Sequence, residues 1–138
     1  MNDLVGKLRQ TREPPYELED WDNMKTEDES RLHDLIRTCL DHLLLPESGP
    51  LQDQARAIRG FRATGPRIWQ IDLDDSPAVS LPDQPLPIEA SYADESSEVV
   101  GEVLIWTKNG RIDSLELPWF TDSMPRNIPS AQQLLFDE

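Results

Sequence analysis

Residues Val99 to Phe120 read VVGEVLIWTKNGRIDSLELPWF, two apolar, β-branched-rich runs on either side of Asn109-Gly110. Asparagine and glycine both tolerate the left-handed backbone of a tight turn, so the stretch predicts a β-hairpin. Two registers satisfy it. A two-residue turn sets Leu104 against Leu115 and Trp106 against Asp113. A three-residue loop with a glycine bulge sets Val103 against Leu115 and gathers Val103, Ile105, Leu115 and Leu117 on one face. The second is preferred because it makes a coherent apolar face.

Upstream, Thr26-Glu27-Asp28-Glu29 has the form of a capping box, in which hydroxyl and carboxylate each satisfy an orphan amide of a helix start. Leu32, Leu35, Ile36, Cys39, Leu40, Leu43 and Leu44 follow at helical spacing, and Pro46 is expected to end the helix. Ser48-Gly49-Pro50 predicts a second, short helix with Leu51 and Ala55 facing inward. Ala57 to Ala63 and Arg67 to Leu73 then read as two strands joined by a Gly65-Pro66 turn, with Trp69, Ile71 and Leu73 sharing a face. Asp74 to Gln84 reads as a surface connection, and Leu86, Ile88, Ala90 and Tyr92 alternate like a strand near an edge. Ser130-Ala131-Gln132-Gln133 offers a second capping box for a last helical turn through Leu135.

The sum is an α+β fold, with an N-terminal amphipathic helix packed on a mostly antiparallel sheet of about five strands in sequential hairpins. Residues 24–138 form the single domain. Residues 1–23 form an N-terminal arm whose Tyr16, Leu18 and Trp21 are expected to dock on the body.

The 138 residues carry 13 Lys plus Arg against 27 Asp plus Glu, a net charge of −14, which opposes approach to nucleic acid and to anionic membranes. A basic protein partner suits this balance, although solubility alone is the commoner reason for it. The single Cys39 has no partner for a disulfide or a zinc set, which suits a reducing compartment. No signal peptide and no long apolar run are visible, so a cytoplasmic location is expected.

No residue set stands out as catalytic. His33 and His42 fall on opposite sides of the first helix and cannot share a metal from it. Cys39, in mid-stripe, reads as a small core residue with little thiolate character. Glycine-rich phosphate loops and the G-x-S-x-G nucleophile motif are absent, and no metal or cofactor is expected. Asp72, Asp74 and Asp75 form the densest carboxylate group, and Asp72, Asp74 and Glu89 define the alternative reading, a small enzyme or ligand-binding protein with a carboxylate site. Arg56, Arg59, Arg62 and Arg67 form an acid-free island, with Arg59 expected opposite Asp72 as a cross-strand pair. A ladder is not expected to pass Pro118, so Trp119, Phe120, Met124 and Ile128 lie in a stiff, proline-flanked loop and are the candidate partner-binding residues, the alternative being that the loop folds back as a lid on the sheet.

The run from Thr26 to Leu134 resembles a group of small, functionally uncharacterised bacterial proteins, common in actinobacteria. The shared patterns are the helix over Leu32 to Leu44, the short hairpin over Arg59 to Leu73, Pro87-Ile88-Glu89-Ala90, and the closing hairpin from Val103 to Glu116. The resemblance implies the α+β fold and no particular activity. Many relatives carry a cysteine-rich turn where this chain has Ala63-Thr64-Gly65-Pro66, so no metal or redox role is carried over. The function expected is that of a non-enzymatic, acidic protein-binding module, such as an immunity-like neutraliser of a toxin.

Overall fold

The acidic start Glu27-Asp28-Glu29 meets the partial positive charge of the helix N-terminus, and helix α1 runs over Thr26–Asp41. A computed structural model describes residues 26–73 and 75–136; the arm over residues 1–23 lies outside the described residues. Helix α1 buries Leu32, Leu35, Ile36, Cys39 and Leu40, the stripe that the spacing predicts. It stops short of Pro46. The amides of His42 and Leu43 reach back to the carbonyls of Cys39 and Leu40, tightening the last turn. Ser48 then takes over, its hydroxyl donating to Leu43 O at 2.6 Å and accepting from Leu45 N at 3.0 Å. The chain swings out here, and Leu44, expected on the buried stripe, is exposed.

Helix α2 (Ser48–Arg56) buries Leu51, Ala55 and, unforeseen, Gln54. Strands β1 (Ile58–Gly65) and β2 (Ile68–Leu73) pair antiparallel, with Phe61 opposite Ile71 and Ala63 opposite Trp69. Because Gly65 pairs with Ile68, the turn is Pro66-Arg67, one residue beyond the expected Gly65-Pro66. Proline sets the first corner and Arg67 takes the left-handed second corner at φ 63°, where glycine is usual.

Strand β3 covers only Ala90–Ala93 and not the whole run from Leu86. Ile88 N turns back to Leu86 O at 2.8 Å around Pro87, a γ-turn that interrupts the ladder. Upstream of it the chain still follows β4 (Val99–Lys108), through Leu86 N to Ile105 O and Thr107 N to Gln84 O. Strand β5 (Arg111–Glu116) returns from Asn109-Gly110, both with positive φ (54° and 76°) as a type I′ turn requires.

Neither expected register of this hairpin holds. Lys108 pairs with Arg111 as a two-residue turn dictates, but a bulge beyond Thr107 and Ile112 then sets Trp106 against Ser114 and Ile105 against Leu115. The face of Val103, Ile105, Leu115 and Leu117 is buried as expected. The bulge also lets Ile112 point inward beside them.

Among the described residues the sheet is six-stranded, in the order β1-β2-β5-β4-β3-β6. Sequential hairpins describe only part of it, since β5 sits between β2 and β4. Beyond the expected strands, β6 (Leu134–Phe136) adds to the outer edge of β3. Ser130 to Gln133 supply the capping box, Ser130 N donating to Gln133 Oε1 at 2.9 Å, but the helix is a single 3₁₀ turn over Ala131–Gln133 and the chain is extended from Leu134. Helix α1 touches both sheet edges, His33 lying edge-on to Phe61 of β1 and His42 stacking on Phe136 of β6.

Candidate interaction face

Alternation along β4 divides its side chains between two environments. Val103, Ile105 and Thr107 are buried, while Glu102 and Lys108 are exposed and Leu104 and Trp106 half-buried. Paired residues share a face, so Glu116 opposite Leu104, Ser114 opposite Trp106 and Ser91 opposite Glu102 belong with the outward set. Leu135 pairs with Ser91 and is exposed on the same side.

The β5 line does not stop at Pro118. Gly101 pairs with Trp119, Pro118 O accepts from Glu102 N at 3.1 Å, and Phe120 N donates to Val100 O at 2.8 Å. Proline lacks only a donor; here its carbonyl faces β4, and the ladder passes through, contrary to expectation. Close approach at this crossing requires glycine at 101. A Cβ there would stand 2.1 Å from Pro118 O and 2.6 Å from the Tyr92 ring.

The segment from Trp119 to Ile128 therefore divides. Trp119 is half-buried against β4, Phe120 is 60% exposed, and Met124 is 40% exposed. Ile128, expected in a contact patch, is 7% exposed and belongs to the core. Two arginines hold its backbone. Arg31 Nη1 donates to Ile128 O at 2.7 Å and Arg67 Nη1 to Asn127 O at 3.1 Å. Beneath the loop lies a cavity of about 350 Å³ whose walls include Tyr92, Val100, Met124 and Asn127.

Arg67 comes from the expected arginine island and is the member that the sequence places least well. Its residue is 7% exposed, its Nη2 donates to Tyr92 Oη at 3.3 Å, and the guanidinium lies 5.5 Å from that ring's centroid. Tyr92 Oη lies within hydrogen-bond reach of the carbonyls of Leu117 (3.3 Å) and Pro118 (3.2 Å). Among the described residues the Arg67 Nε has no hydrogen-bond partner. The rest of the island is exposed, with Arg59 paired to Asp72 at 3.2 Å from a bulged position and Arg56 paired to Asp53.

The alternative carboxylate site is not assembled. Asp72 lies on β2 and Glu89 just before β3, with β5 and β4 between them, and Asp74 is outside the described residues. His33 and His42 face opposite edges of the sheet, and the His42 Nδ1 donates to Thr38 O at 3.1 Å. Among the described residues no three His, Cys, Asp or Glu side chains are grouped as metal ligands would be, and no helix is long and apolar enough to cross a membrane. Burial pushes the Cys39 thiol up to about 12. The Ser96 hydroxyl, with the Glu98 amide behind it, holds the exposed Asp94 carboxyl below its ordinary value and ties the β3–β4 turn.

No protein-family model, curated protein or solved structure matches the chain.

Proposed function

We propose that this chain is a non-enzymatic protein-binding module, acting by occupying a partner as an immunity-like neutraliser occupies a toxin. The observation that carries the reading is the exposure of Phe120 and Met124 on a segment whose neighbours, Trp119 and Ile128, are packed down. Large apolar side chains presented from a fixed backbone lose little conformational freedom on binding, which favours them as interface anchors. The charge of −14 supports a protein partner over nucleic acid.

The test separates stability from affinity on the same variants. Phe120→Ala is expected to change stability by less than about 0.5 kcal/mol, whereas Ile128→Ala costs about 2–5 kcal/mol. In affinity purification from the native host, a protein retained by the wild type should be lost with Phe120→Asp and kept with Leu44→Asp, whose site is also exposed. Unchanged capture by Phe120→Asp, or unfolding by Phe120→Ala, overturns the reading.

A further inference from the structure

We infer that the open face of the sheet along β4 seats a basic segment of the partner protein, an Arg or Lys head group lying against the Trp106 indole beside the Glu116 carboxylate. This rests on the protein-binding reading above and names the chemistry of the partner. Glu102, Leu104 and Trp106 of β4 share this face with Ser114 and Glu116 of β5.

Two shallow depressions flank β4. One, of about 330 Å³, is lined by Asp83, Trp106, Lys108, Asp113 and Glu116 among others. The other, of about 250 Å³, includes Glu89, Glu102 and Leu104. Five carboxylates thus face one ammonium, an imbalance that selects a cationic occupant and repels a second copy of this chain. Among the described residues, no side chain donates to Glu89 or Glu102.

The Trp106–Glu116 pair supplies the specific geometry. Trp106 Nε1 donates to Glu116 Oε1 at 3.0 Å, which fixes the carboxylate at the indole edge and leaves its remaining lone pairs for another donor. A guanidinium or ammonium over the half-buried ring meets the negative π face and a carboxylate together. Leu104, opposite Glu116, offers apolar surface for the aliphatic stem of the same side chain.

The experiment titrates the isotopically labelled full chain with the peptide Ac-Gly-Arg-Leu-Arg-Gly-NH2, and with its counterpart in which citrulline replaces both arginines. Citrulline keeps size and planarity and removes charge. Saturable shifts are expected at the Trp106 indole N–H, assigned by its disappearance in Trp106→Phe, and at the amides of Glu102, Leu104 and Glu116. The citrulline peptide should bind about tenfold more weakly, and Glu116→Gln, which keeps the acceptor for the indole, should weaken the arginine peptide. Equal binding of the two peptides, or shifts confined to Glu27, Asp28 and Glu29, overturns the proposal. A failed titration alongside loss of capture by Phe120→Asp removes this seat and leaves the protein-binding module standing; a saturable titration alongside capture unchanged by Phe120→Asp overturns that reading and leaves a cation seat on β4.

Discussion

Replacing Gln54 by leucine tests what holds the turn of the central hairpin to the helical layer. The Gln54 amide is buried between α2 and the Asn109-Gly110 turn, and both of its ends are used. Oε1 accepts from Ile112 N at 2.9 Å, and Nε2 donates to Pro77 O at 2.9 Å and Gly110 O at 3.1 Å. Leucine of similar volume deletes all three bonds. Two of the orphaned groups have alternatives, because Gly110 O also accepts from Val79 N at 2.8 Å and Pro77 is exposed to water. Ile112 N has none, and a buried unpaired amide costs about 1–3 kcal/mol, with each remaining bond adding about 0.5–1.5. Greater burial of apolar surface by leucine offsets part of this, leaving a net loss of about 2–4 kcal/mol. With a urea slope of about 2 kcal/mol per molar, the unfolding midpoint should fall by about 1–2 M.

Gln54→Glu sharpens the reasoning. A carboxylate still accepts from Ile112 N, but its second oxygen faces the carbonyl oxygens of Pro77 and Gly110. That repulsion favours the protonated acid, so the folded pKa rises above the unfolded value of about 4.3. Stability of Gln54→Glu is then fully present below that pH and is lost as pH rises, while Gln54→Leu shows no such dependence relative to wild type. Urea unfolding of the three proteins at acidic and neutral pH measures both effects. A Gln54→Leu protein within about 0.5 kcal/mol of wild type would refute the account of the buried amide.

Gly101→Ala should cost about 3 kcal/mol, since its Cβ would meet a backbone oxygen and the Tyr92 ring at 2.1 and 2.6 Å; thermal unfolding measures it, and a near-neutral result would contradict the close crossing at Pro118. Cys39 holds its proton to about pH 12 when folded and to about its ordinary 9.0 when unfolded. Its contribution is therefore present below pH 9 and lost between 9 and 12, at about 1.4 kcal/mol per pH unit, a slope that Cys39→Ala should lack. Alkylation of the native thiol should likewise require unfolding, and rapid labelling at neutral pH without denaturant would show the site to be open.

The parts legible in the sequence are those where one periodicity decides. The α1 stripe follows helical spacing until the turn tightens, and Leu44 escapes because Ser48 captures the backbone beyond it, an interaction that helical spacing does not encode. In the Val99 to Phe120 hairpin, alternation tells which residues share a face but not how many residues separate them in register. An expected glycine bulge at the turn and the actual bulge past Ile112 put Ile105 and Leu115 on the same face from opposite directions. For Phe120 and Met124 the sequence leaves exposure and a lid on the sheet both open, and both side chains are exposed. Burial of Ile128 is not legible, because the arginines that hold its loop are 97 and 60 residues away in sequence. Nor does any local signal mark a turn arginine for burial under Tyr92.

The edges of the sheet bear on how a partner meets it. Strand addition needs a long, regular edge with unpaired amides and carbonyls. At one edge β1 is broken by irregularities between Ile58 and Gly60 and between Ala63 and Gly65, and it carries exposed Arg59 and Arg62. At the other, β6 is three residues long. Bulges, charge and brevity are the devices that blunt edges against pairing, so both ends of this sheet are poor templates for an incoming strand. The central strands differ. Their outward side chains combine half-buried Leu104 and Trp106 with a carboxylate excess, and the backbone is already satisfied on both sides. A partner that recognises this protein through its sheet accordingly reads side chains across β4 and β5, and its specificity resides in charge and shape rather than in backbone pairing.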